Sequence, residues 1–102
     1  MLIKPKEFYT DLMKTKQNLV RGGKLSLYIN IRKDLLESQV LDIDKRLVIA
    51  AAHGRKTHFA PIVAELARRC LAAGVFELSY NGTYKGMFVK FIEALRRVGI
   101  VV

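Results

Sequence analysis

Cysteine is almost missing from this chain. Cys70 stands alone, so no internal disulfide can form, and a reducing compartment fits. Long apolar runs are missing as well: no stretch approaches the ~20 residues that cross a bilayer as a helix, which excludes a helical membrane span. Acids are scarce, nine Asp and Glu against 18 Lys and Arg, for a net charge of +9 and a pI near 10.0. That imbalance points to a polyanion, nucleic acid first and an anionic membrane surface or an acidic protein second. The phosphate-cradling patterns GxxxxGK(S/T) and GxGxxG are absent, as is HExxH, so neither a nucleotide-binding enzyme nor a zinc hydrolase has a signature here. There is no internal repeat and no low-complexity segment. The opening residues lack the apolar core of a secretory signal, and Glu7 and Asp11 are foreign to a transit peptide, so an amphipathic arm is expected there.

What is present suffices for one domain. The 102 residues are 51% hydrophobic, enough for a single core covered on one side by a couple of helices. From about Pro5 to Leu19, Phe8, Leu12, Met13 and Leu19 share one helical side, and Gly22 and Gly23 end the helix. "LSLYINI" then alternates Leu25, Leu27, Ile29 and Ile31 with Ser26, Tyr28 and Asn30, the period of a strand with one buried face. "RKD" is a turn, "LLESQVL" the returning strand, "DIDK" a second turn and "RLVIAAA" a third strand. In "HFAPIVAELARRCLAAG" the period becomes helical: Ile62, Val63, Leu66, Cys70 and Leu71 share a face, Pro61 suits the first turn and Gly74 the stop. "VFELS" is a fourth strand, "MFVKFIEALRRVG" a helix with Phe88, Phe91, Ile92 and Leu95 inward, and "IVV" a last short strand.

This order predicts an α/β fold. A three-strand antiparallel meander is followed by helix, strand, helix and strand, giving a mixed sheet with two helices on one face, plus an N-terminal helix. The expected divisions are a basic helical arm over 1–23 and the α/β domain over 24–102. The opposite sheet face is expected to be free to carry Ser26, Tyr28 and Asn30.

The stretch "NGTYKG", Asn81 to Gly86, leads from a strand into a helix. Such a turn offers unpaired N–H groups and the positive end of the helix dipole, both of which favour a phosphate, and Lys85 adds a mobile charge. Glycines that only satisfy backbone geometry are an equal alternative. His53, His58 and Cys70 suggest a zinc site or a Cys-His dyad far more weakly than a core thiol and two loop histidines. Asp42 and Asp44 suit turn capping. Catalysis therefore has no visible constellation. The basic residues fall at corners: Arg32 and Lys33 in the first turn, Arg55 and Lys56 after the third strand, Lys85 in the glycine turn. With Tyr28 for stacking they make an RNA-facing set. Arg68, Arg69, Arg96 and Arg97 lie on polar helix faces, where Arg69 and Arg97 read as solvated.

Three segments together resemble the large-subunit ribosomal protein L-eighteen family, over Lys24 to Val102. "KLSLYIN" through "LLESQVLDIDKRLVIAAAH" is similar to its paired strands, with Ser26, Gln39 and Asp42 at matching places. "VAELARRCLAAGV" is similar to its first helix. "YKGMFVKFIEALRRVGI" is similar to its YHGRVKALAEAAREAGL, matching at Tyr84, Gly86, Glu93, Ala94, Arg96 and Gly99. The resemblance implies a structural constituent of the large subunit without catalysis, cofactor or metal. Its partners are ribosomal RNA, meaning 5S RNA or its replacement in the central protuberance, and neighbouring subunit proteins, with no membrane. The implied RNA contacts are Lys14, Lys16, Arg21 and Lys24 from the arm, Ser26, Tyr28 and Asn30 from the sheet face, Arg32, Lys33, Arg55, Lys56 and His58 from the corners, and Tyr84, Lys85 and Gly86 from the glycine turn. Where the family has DRGG this chain has "LSYN", and Lys85 and Met87 replace the histidine and arginine of YHGR. These departures, with the sparser arm, imply an organellar ribosome in the mitochondrial matrix, ahead of a bacterial cytoplasm or a plastid. The rival readings are a small phosphate- or nucleotide-binding enzyme and a basic protein-interaction module.

Overall fold

The computed structural model describes residues 25–102. The expected N-terminal helix, with Lys14, Lys16, Arg21 and Lys24, lies outside the described residues. The alternating stretch forms β1 (Leu25–Arg32), which turns through Lys33 and Asp34 into β2 (Leu35–Asp42), with Arg32 opposite Leu35 and Ser26 opposite Leu41. β3 (Leu47–Arg55) pairs antiparallel with β2 and completes the expected meander. It runs three residues beyond "RLVIAAA", through His53, Gly54 and Arg55, because Glu37, Leu36 and Leu35 offer backbone partners there. Backbone pairing rather than side-chain alternation sets that end. One β2 step, Val40 to Leu41, faces two β3 steps, Ala50 to Val48, a bulge that bends the strand.

A single turn of 3-10 helix (Lys56–His58) leads into α1 (Ala60–Ala72), with Pro61 in its first turn. β4 (Leu78–Ser79) is much shorter than "VFELS" and pairs parallel with β1 at Leu25 and Ser26 alone. After α2 (Met87–Arg97), "IVV" contributes one parallel bridge, Val101 with Glu77, in place of a strand. The sheet order is β3-β2-β1-β4.

Both helices press on one face. Leu27, Ile29, Leu36, Val40, Ala50 and Ala52 join Ile62, Val63, Leu66, Cys70, Phe91, Ile92 and Leu95 in a single buried cluster. Each large apolar side chain there stabilises the fold by about 1.5–3 kcal/mol through area removed from water. Leu71, expected on the inner stripe of α1, is exposed, and Ala67 closes that stripe instead. Among the described residues no helix is long and apolar enough to cross a membrane.

The outer face carries the rows Ser26–Leu41–Val48, Tyr28–Gln39–Ala51 and Asn30–Glu37–His53. It is not the free surface expected. Glu37, Gln39 and Leu41 are 1%, 2% and 1% exposed, and Ser26, Tyr28 and Asn30 are half-buried.

Candidate nucleic-acid interface

β1 and β3 both run antiparallel to β2, so their C-terminal ends share one edge of the sheet. That topology gathers four of the five expected turn cations, Arg32, Lys33, Arg55 and Lys56, with His58 beside them. The Lys56 N–H donates to the Asp34 carbonyl at 2.8 Å, and Arg55 Nε to Asp34 Oδ2 at 2.8 Å, so the end of β3 is tied to the hairpin tip. Arg55 is the last residue of β3 rather than a turn residue. The Arg55 pair is largely exposed and adds little to stability. It orients the guanidinium without burying it.

Lys33 has φ of 53°, the left-handed region where a side chain crowds its own backbone. Glycine or asparagine suits that place in a two-residue hairpin. The chain instead holds an exposed ammonium at the tip. Arg32 has a different task. Its Nη2 and Nε donate to Glu37 Oε1 at 2.7 and 3.2 Å, and the carboxylate raises the guanidinium pKa above its ordinary value. Because Glu37 is buried, Arg32 is its counter-charge first.

Between the free edge of β3 and the start of α1 lies an open cleft of about 470 Å³, lined by His53, Arg55, His58, Ile62, Glu65 and Arg69 among others. Arg69 reaches across, donating from Nη1 to the Ala51 carbonyl at 2.6 Å and pairing through Nε with Glu65 at 2.7 Å. It therefore clamps α1 to the edge strand instead of standing free in solvent. Arg68 and Arg69 hold the Glu65 carboxyl below its usual range, Arg68 contributing most. Sequence reasoning did not place His53 or Arg69 here. The helical spacing of Arg69 gave no sign of the strand beside it.

The glycine turn stands apart. β4, which precedes the turn, pairs with β1 at Leu25 and Ser26, the end of that strand opposite Arg32. The Tyr80 hydroxyl donates to the Thr83 carbonyl at 2.6 Å, and burial pushes it up to about 12. A Cβ on Gly82 would fall 2.6 Å from that hydroxyl oxygen, so Gly82 makes room for the ring. Gly86 has φ 58° and ψ −129°, a region that side chains rarely adopt. Both glycines are thus required by local structure. Tyr84 accepts a hydrogen bond from Arg96 Nη1 at 3.1 Å and lies 6.0 Å from its guanidinium carbon, leaving half its surface exposed. No side chain caps α2 and no acid sits in its first turn, while Lys85 beside it is exposed. The positive helix end is uncompensated, but it is not part of the corner.

Elsewhere, Cys70 is fully buried, and burial pushes its thiol up. Asp42 Oδ1 accepts the Lys45 N–H at 3.1 Å, the capping role expected of it. The second hairpin turn adds Arg46 with φ of 54°, another exposed cation in the left-handed region. Compared with protein-family models and with curated protein sequences, the chain matches none.

Proposed function

We propose that the chain is an RNA-binding structural constituent of a large ribosomal subunit, of the ribosomal protein L-eighteen type. On this reading it sits in a mitochondrial ribosome and holds 5S RNA, or its replacement, in the central protuberance beside other subunit proteins. The corner carries the reading. Lys33 occupies a left-handed position that costs stability, next to Arg55, Lys56 and His58, and an outlier retained at such a cost points to a use for its charge. Four cationic or protonatable groups on one edge suit the evenly spaced phosphates of an RNA strand. The glycine turn offers a second, separate backbone contact through Lys85 and the start of α2. The chain acts by binding, without turnover.

Sedimentation of a lysate containing the tagged chain tests this reading. The chain is expected in the large-subunit fraction, and it should leave that fraction when the RNA is digested. Recovery as free protein at the top of the gradient contradicts the reading.

A further inference from the structure

We infer that the cleft between the free edge of β3 and α1 receives one unpaired nucleobase of the bound RNA. The inference rests on the RNA reading above and sharpens it, from phosphate contacts alone to a single-stranded ligand. Two groups build the site. The first is the Arg69 guanidinium. Its bond to the Ala51 carbonyl at 2.6 Å and its pair with Glu65 at 2.7 Å hold it in place at the cleft, while half of the side chain stays in water. A flat, fixed and half-exposed guanidinium is a stacking platform for a base.

The second is the backbone of β3. Along an antiparallel ladder, residues alternate between turning both peptide groups toward the partner strand and turning both away. The Lys56 N–H reaches the Asp34 carbonyl on the β2 side, and the Ala51 carbonyl reaches Arg69 on the other. His53, two residues after Ala51 and past the bulge, therefore turns its own N–H and carbonyl toward the cleft. No strand lies beyond β3 among the described residues. A neighbouring donor and acceptor match the Watson–Crick edge of a base, which is free only in an unpaired nucleotide. An added polypeptide strand would need the Ala51 carbonyl that Arg69 already takes, so the edge suits a single base rather than a continuous ladder. The space agrees: about 470 Å³ falls within the ~300–1,000 Å³ of small-ligand sites. One wall is apolar, where buried Ile62 packs so close to Gly54 that a Cβ there would lie 3.2 Å from it. Arg55 and His58 belong to both the cleft and the cationic corner, so a strand whose phosphates lie on the corner can turn a base inward.

The test measures the affinity of the full chain for a short single-stranded RNA and for the same strand annealed to its complement. In Pro61→Cys, at an exposed position lining the cleft, the new thiol is capped with N-ethylmaleimide while buried Cys70 stays unmodified. Capping fills the cleft without changing its charge. It should weaken single-strand binding by roughly fivefold or more, the loss of one stacked base, and leave duplex binding unchanged. Arg69→Lys keeps the charge and removes the plane, and the same split is expected; thermal melts fix conditions in which both variants are folded. Thiouridine in the single strand should crosslink to residues 53–65. Affinities for the two RNAs that fall together or not at all, or crosslinks confined to residues 81–86, overturn the base site and leave the phosphate corner standing. Binding of neither RNA, or binding indifferent to salt, overturns both.

Discussion

At the scale of single residues, the most informative side chain is Lys33. Replacing it by glycine relieves the left-handed strain, so Lys33→Gly should gain about 0.5–1 kcal/mol of stability in denaturant unfolding while binding RNA more weakly. Loss of stability would show that the lysine belongs to the fold rather than to a ligand. Tyr80 supplies a pH signature. Its folded pKa, about 12, lies above the ordinary value of 10.0. The unfolded chain therefore gives up this proton first: the stabilisation is fully present below about pH 10 and is lost as pH rises toward 12. Thermal melts of Tyr80→Phe should show a shallower alkaline decline over that window than the parent chain. Arg32 teaches a different lesson. It looked like a phosphate contact from its turn position, yet it neutralises a buried glutamate, so Arg32 variants report on folding as much as on binding.

At the scale of elements, helices were the most legible part of the sequence, because a 3.6-residue period with proline near the start and glycine after the end is a strong local signal. α1 and α2 lie where that signal placed them, with Leu71 the one misassigned core residue. Cys70→Ala in α1 should lower stability by about 1–2 kcal/mol through a small cavity, and the native thiol should react only on unfolding. Fast labelling of native protein would count against a core role. Strand ends were less legible: β3 gains His53 to Arg55, and "VFELS" and "IVV" shrink to two residues and one bridge, because pairing depends on partners distant in sequence. In the glycine turn, sequence left phosphate binding and backbone geometry open. The geometry now accounts for both glycines. Gly86→Ala should accordingly cost about 1–2 kcal/mol in the free protein, from positive φ alone, before any RNA is present.

At the scale of the whole molecule, the order of elements and the one-sided helix layer were readable from the switch between periods of two and 3.6. The corner site was readable only in part. Its charges stood out as turn residues, but their convergence follows from β1 and β3 running the same way. The outer face was expected to be free to carry Ser26, Tyr28 and Asn30, whereas these are half-buried and their strand neighbours Glu37, Gln39 and Leu41 are buried. The central claim is that cations of the corner bind RNA phosphates. It is tested most directly by the affinity of the full chain for RNA of the isolated large subunit, measured against salt concentration, with and without Lys33→Gln, Arg55→Gln and Lys56→Gln combined. The slope of log affinity against log salt should be steep for the parent chain and shallower by about two to three units for the triple variant, close to one per lost phosphate contact. An unchanged slope, or affinity indifferent to salt in the parent chain, contradicts the claim.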